Sequence, residues 1–197
     1  MLCIAGCKKN SVDVRPDYSP ITAGSTWTYQ NTPGTPYTLT ATNRDTVAAG
    51  KTYRVLTNTG GVNNYRGKSG GDYYRFGAFA VAGLNGIEEL YLKDNQEVNG
   101  TWNASQNISV PNIPFPLTAI FLYSIKSKGS TRTVSGKSFS NVIYVRVDIS
   151  ISGLGSIGGG DFYYAEGVGL IESNLIITAP GQPAINQMQI LTAYSIK

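Results

Sequence analysis

The sequence predicts an all-β protein: a single curled antiparallel sheet, half-barrel or sandwich, with at most one short helix. Three observations carry that prediction. Apolar and polar residues alternate with period two through most of the chain after Gly24, and helical periodicity is almost absent. Turn signals containing Gly, Pro or Asn separate the alternating runs at short intervals. Charged residues make up only 14% of the chain, below the usual quarter, while Gly, Ser, Thr, Asn and Tyr are abundant.

The elements follow in order. Trp27 and Tyr29 share one face of a first strand; Tyr37, Leu39 and Ala41 share one face of a second. Tyr53 and Val55 mark a third, and residues 77–92 are the one place where a short helix fits, weakened by Gly83 and Gly86. Phe121, Tyr123 and Ile125 align on a later strand. From Phe139 to Ile151, the odd positions Phe139, Asn141, Ile143, Val145, Val147, Ile149 and Ile151 form an almost wholly apolar face, while the even positions, among them Val142, Tyr144, Arg146, Asp148 and Ser150, form a mostly polar one. Thirteen residues at about 3.3 Å each span roughly 43 Å, so this sheet must twist or curl. Met188, Ile190, Tyr194 and Ile196 are expected on one side of the last strand. Turns are expected at Thr32-Pro33-Gly34, Ala49-Gly50, Gly60-Gly61, Gly70-Gly71, Asn99-Gly100, Ser135-Gly136 and Pro180-Gly181.

A faint internal echo links Gly24-Ser25-Thr26-Trp27 with Gly100-Thr101-Trp102, and the Gly-Lys turn at 50–51 with that at 136–137. Duplication would give halves of about 24–98 and 99–197 within one continuous sheet. Reuse of glycine in hairpin turns explains the same echo equally well.

The N-terminus carries a different kind of signal. Ile4-Ala5-Gly6-Cys7 has the form of a lipobox, an aliphatic residue and two small ones before the cysteine that receives diacylglycerol. On that reading residues 1–6 are a truncated signal peptide whose true start lies upstream. Residues 7–23 are then the lipidated Cys7 and a polar, Pro-containing flexible tether, and residues 24–197 are the β-domain. With Cys3 removed and Cys7 acylated, no disulfide is available. Lys8-Lys9 would meet anionic headgroups beside the lipid.

Several chemistries are excluded on composition. The chain has no histidine, which removes the commonest general base and every Ser-His or Cys-His nucleophile. Without histidine or a usable thiol, zinc and iron–sulfur centres lack ligands, and no metal or other cofactor is expected. The net charge of +4 is spread thinly, so no basic face for nucleic acid forms. Gly153-Leu154-Gly155-Ser156-Ile157-Gly158 matches G-x-G-x-x-G, but the helix that would receive a pyrophosphate is missing, so a flexible hairpin loop is expected. Glu88 and Glu89 should face opposite sides of a strand; Asp161, Glu166 and Glu172 are the remaining acids for carboxylate chemistry. The aromatic residues are the candidate ligand-binding population. Tyr73-Tyr74 and Tyr163-Tyr164 should each place one ring inward and one outward, and Trp102 joins them.

The lipobox, Gly24-Ser25-Thr26-Trp27-Thr28-Tyr29 and Tyr163-Tyr164-Ala165-Glu166-Gly167-Val168-Gly169-Leu170-Ile171 together resemble a group of Bacteroidota-type β-rich envelope lipoproteins. That resemblance implies a curled antiparallel sheet like that of periplasmic lipoprotein carriers, and it brings no catalytic residues. It also implies outer-membrane anchoring; Lys8-Lys9-Asn10-Ser11 is not the acidic stretch that favours surface export, so the periplasmic and surface faces both stay open. The expected function is therefore a membrane-anchored, non-catalytic β-domain that binds a glycan, lipid or protein partner. Two rivals stand beside it: a carrier enclosing an apolar or lipid ligand in the curled sheet, and a carboxylate-dependent glycan hydrolase.

Overall fold

The computed structural model of the chain describes residues 16–77, 87–108, 116–178 and 183–197. These residues form twelve strands and no helix. In chain order they are β1 (Thr26–Thr32), β2 (Tyr37–Ala48), β3 (Lys51–Asn58), β4 (Asn64–Ser69), β5 (Asp72–Gly77) and β6 (Ile87–Lys93), then β7 (Thr101–Ile108), β8 (Leu117–Val134), β9 (Lys137–Ile151), β10 (Gly155–Ala165), β11 (Gly169–Ile177) and β12 (Ile185–Ser195). All belong to one sheet in the order β6-β5-β4-β3-β2-β1-β12-β11-β10-β9-β8-β7. Each strand pairs antiparallel with its chain neighbour, and β1 pairs with β12 from Thr26↔Ser195 to Thr32↔Met188. The result is an up-and-down barrel joined through the two ends of the chain, nearly closed, with its seam between β6 and β7.

Alternation decides which residues fill the interior. Along β9, Ile143, Val145, Val147, Ile149 and Ile151 are buried, while Asp148 lies in solvent. Cross-strand partners continue each layer: Ile125 opposes Val145, which opposes Phe162. The outward face carries ion pairs such as Arg146 with Asp161 and Arg132 with Glu172, the inverse of a lipid-facing apolar band. β8 runs for 18 residues and shifts register three times between Ile125 and Arg132, and such bulges bend a strand. The β8–β9 hairpin curls accordingly: Phe139 packs on Tyr194, and Lys137 Nζ donates to the Thr192 carbonyl.

Four sequence expectations are corrected. The described part of 77–92 is strand, not helix: residues 87–93 pair along β5, and residues 78–86 lie outside the described residues. The glycine-rich stretch is a loop only at 152–154; from Gly155 it is β10, and a Cβ at Gly158 would overlap the Ile176 carbonyl. Glycine there permits close strand approach. On β12 the buried residue is Leu191, while Met188 and Tyr194 are partly exposed, because the β1–β12 register skips Thr192 and inverts the faces beyond it. The turn at Pro180-Gly181, like Cys7, lies outside the described residues.

The last part of the expected flexible tether is also bound to the fold. Residues 16–20 form a strap across one end of the barrel. Tyr18 is 6% exposed and meets the Tyr73 ring edge-on at 6.3 Å between centroids. The Tyr73 hydroxyl donates to the Pro16 carbonyl and accepts from the Tyr18 amide, Gly167 N–H donates to the Asp17 carbonyl, and Lys68 pairs with Asp17. Replacing Tyr18 with Ala removes this packing and should lower the unfolding free energy by about 3 kcal/mol in a denaturant titration. A loss below about 1 kcal/mol would show that the strap does not belong to the cooperative fold.

Candidate functional site

Strand register places three arginines side by side on the sheet. Arg54 of β3 lies opposite Arg66 of β4, and Arg66 lies opposite Arg75 of β5. Directly opposed residues share a face, and like charges in that position repel. Two of the three have carboxylate partners. Arg75 grips Glu89 of β6 with both arms, Nη2 to Oε1 at 2.8 Å and Nε to Oε2. The Tyr123 hydroxyl adds a third donor to Glu89 at 2.7 Å. Arg54 donates to the Thr42 carbonyl at 2.8 Å and has Asp45 Oδ1 at the same distance from Nε. Arg66 has no carboxylate within ion-pair distance among the described residues. Its guanidinium instead lies 5.6 Å from the Trp27 ring centroid, with the Tyr29 hydroxyl oxygen near it as an acceptor.

Aromatic residues wall this cationic interior. Trp27 and Tyr29 are fully buried, with Trp27 Nε1 donating to the Val168 carbonyl and the Tyr29 hydroxyl to that of Leu170. Tyr37 packs on Tyr29 at 5.6 Å, and Tyr91 on Tyr164 at 5.4 Å. The Arg75 guanidinium lies within 6 Å of the Tyr91 and Phe162 rings. Partners from β6, β8 and β10 thus surround Arg75 on several sides of the barrel, yet 36% of its side chain stays accessible.

The seam gives this interior a lateral border. Trp102 of β7 stacks on Tyr123 at 5.3 Å and donates from Nε1 to the Leu90 carbonyl of β6, pinning the two edge strands near their connecting turn. Farther along lies a small cleft of about 30 Å³, lined by Glu88, Glu89, Ala104, Gln106 and Phe121. Buried Glu89 therefore faces both the arginine row and the seam.

The aromatic residues singled out from sequence are not gathered into one site. Tyr73 is buried beneath the strap, with its hydroxyl on Asp94; Tyr74 faces outward near Lys51. Tyr163 lies on the outer face, stacked on Tyr144 at 4.7 Å beneath the Arg132 guanidinium. Tyr164 and Trp102 point inward as Tyr73 does, but on other strands. Glu88 and Glu89 do face opposite sides, Glu88 taking Lys51 and the Tyr53 hydroxyl. The three acids considered for hydrolysis each have their own partner: Asp161 with Tyr144, Glu166 with Asn141 and Glu172 with Arg132. Among the described residues no cluster of His, Cys, Asp and Glu is placed to hold a metal ion. Sequence reading missed Arg66, Arg75 and Glu89. The available signal was parity: Arg75 shares a face with the inward Tyr73, two residues away.

Burial shifts the phenols. Tyr37 is pushed up to about 12, first by burial and then by the neighbouring Tyr29. Tyr18 is likewise raised to about 12, by burial and then by Glu166 and Asp94. Burial, then Glu89, also lifts Tyr123, and burial lifts Tyr164. A tyrosine raised in the folded state keeps its proton after the unfolded chain has lost it at about pH 10. Stability is thus fully present below about pH 10 and falls as pH rises toward about 12. Urea titrations from pH 8 to pH 12 should show that fall, and Tyr37→Phe should make it shallower; a flat profile would overturn the assignment. Removing Glu89 as Glu89→Ala strands the Arg75 charge and should cost about 3–5 kcal/mol in the same measurement at pH 7.

No family model matches the chain, and no curated protein matches it. Two solved structures align with most of the chain. One, a Bacteroides fragilis protein named as exported and as having a YmcC-like fold, is 11% identical with a TM-score of 0.47, over 92% of this chain and 100% of that one. The other, a Parabacteroides distasonis protein named as a lipoprotein, is 12% identical with a TM-score of 0.44, over 91% of this chain and 99% of that one.

Proposed function

We propose that this protein is an envelope lipoprotein, anchored through Cys7, whose barrel binds a small ligand in its interior without transforming it. One observation carries the binding reading: inward arginines, one of them partly accessible, are surrounded by aromatic rings, and the Arg75 partner Glu89 also lines a small cleft at the β6–β7 seam. A barrel built only for stability would fill that region with aliphatic side chains, as the Ile143–Ile151 side of the sheet does. The anchor rests on the lipobox and on the abruptly polar Lys8-Lys9 that follows it. Twelve strands enclose more room than the eight that side chains just fill, which favours the carrier reading over a partner gripped by the outer surface. The outer tyrosines are dispersed across the surface and offer a glycan no single platform.

Two measurements test the two halves separately. Cells fed an alkyne-tagged fatty acid should label the wild-type chain and not Cys7→Ala; equal labelling of both would refute the anchor. Native mass spectrometry of the purified chain should show a co-purifying small molecule, released on denaturation. A single species with the mass of residues 7–197 and the lipid on Cys7, and nothing more, would count against the carrier.

A further inference from the structure

The row of three guanidinium groups has two carboxylates to meet it. Arginine stays protonated at any pH the protein tolerates, so the opposition of Arg54, Arg66 and Arg75 is a standing like-charge contact on three adjacent strands. Asp45 answers Arg54, and Glu89 is fully engaged by Arg75 and Tyr123. The middle member is left over. Arg66 sits between two other cations, over the Trp27 ring, where hydrogen bonding to aromatic hydroxyls is all that neighbouring side chains provide among the described residues. A desolvated cation without a counter-charge is a costly feature to retain in a barrel interior.

We propose that Arg66 receives the anionic head of a bound amphiphile, a carboxylate or phosphate, whose apolar part lies among the interior aromatic rings. This rests on the interior-ligand reading above and names its chemical class. The fit is chemical as well as electrostatic. The Arg66 fork offers parallel N–H donors of the kind that grip carboxylate and phosphate. Tyr29 already spends its proton on the Leu170 carbonyl, so its oxygen helps orient the guanidinium rather than compete for the anion. Tyr37 packs beside Tyr29, and its hydroxyl accepts from the Gln189 amide, which leaves its own proton free to donate to an anion. Gly169 lies beside the guanidinium and the strap: a Cβ there would be 4.0 Å from Arg66 Nη1 and 3.4 Å from the Tyr18 carbonyl, both ordinary contact distances. The anion site thus lies just beneath the strap, at the closed end, with the aromatic interior extending away from it.

The test compares a dansylated undecanoic acid with its methyl ester, which differs only in lacking the charge. Binding to the 197-residue chain is followed by dansyl fluorescence at pH 7.4. The acid should bind about 10-fold to 100-fold tighter than the ester, the range of a charge-assisted hydrogen bond. Arg66→Gln should reduce the acid to the affinity of the ester while leaving the ester unchanged, and Arg66→Lys should keep part of the preference. Equal binding of acid and ester by the wild type, or a preference that survives in Arg66→Gln, overturns the anion site while leaving the interior-ligand reading standing. Binding of neither probe overturns both. Inorganic phosphate offered alone separates the sources: displacement of the acid but not of the ester by phosphate supports the site with a free anion as occupant. Displacement only by unlabelled long-chain acid supports it with an amphiphile as occupant. The wild-type comparison decides the matter even if Arg66→Gln fails to fold.

Discussion

The pairing of β1 with β12 is the constraint on which the rest of the structure depends. Every other strand pair joins chain neighbours through a short connection, and such hairpins form locally. The β1–β12 ladder alone joins residues some 170 positions apart, as Thr26 with Ser195. Without it the chain is two open meanders, each with two unpaired edges and an apolar face in water. With it, two edges disappear and the remaining two, β6 and β7, are brought face to face. The interior, the seam and the strap across one end all exist because this ladder closes. Trp27 and Tyr29 reinforce it from inside by reaching across to the carbonyls of Val168 and Leu170, so the first strand is tied both to its partner β12 and to the strand beyond.

A closed sheet then faces a choice about its filling. On the side built from β8, β9 and β10 the inward residues are mostly aliphatic and aromatic and form one buried cluster. On the side built from β3, β4, β5 and β6 they include three arginines and one glutamate. The bidentate Arg75–Glu89 pair with its Tyr123 hydrogen bond shows what satisfying one such charge takes: three donors on one carboxylate. An aliphatic replacement of that pair would be neutral or stabilising in many proteins, so the polar half of the interior is better understood as a feature retained for recognition than as a source of stability.

How much of this was legible in the chain differs by element. The split of each tyrosine pair followed from period-two geometry and holds, and so does the β9 alternation from Ile143 to Ile151; opposite the β8 bulges it fails, with Val142 buried and Asn141 exposed at positive φ. The turns at Ala49-Gly50 and Ser135-Gly136 were marked by glycine, and both place two successive residues at positive φ, as a two-residue hairpin needs. Bulges were not legible. One extra residue opposite the Tyr73–Tyr74 step buries both Tyr91 and Leu92, and the skipped Thr192 brings Leu191 inward where Ile190 was expected. Such a residue leaves no local trace, because its effect appears only against the partner strand. The arginine row was hidden for the same reason. Arg54, Arg66 and Arg75 are spaced 12 and 9 residues apart, and nothing in one strand announces that register will stack them. β4, Asn-Tyr-Arg-Gly-Lys-Ser, is short and polar and reads as a surface loop or edge. It is neither, since β3 and β5 flank it.

The strap connects this interior to the proposed anchor. Residues 16–20 cross the end of the barrel that also carries the turns at 49–50, 70–71, 135–136 and 166–168. Eight residues separate Cys7 from Pro16, and even fully extended they reach about 28 Å. The proposed lipid on Cys7 would hold the strapped end near the bilayer and turn the opposite end away from it. Any pull along the chain from the membrane acts on Asp17 and Tyr18 before it acts on β1, so the Lys68–Asp17 pair and the Tyr18–Tyr73 contact bear it first. Those same residues cover the chamber floor beside Arg66, through the approach of the Tyr18 carbonyl and Pro20 to Gly169. Anchoring and interior are thus joined by a segment of five residues. A change in how firmly that segment sits alters the surroundings of Arg66, the inward arginine of the row without a carboxylate partner among the described residues.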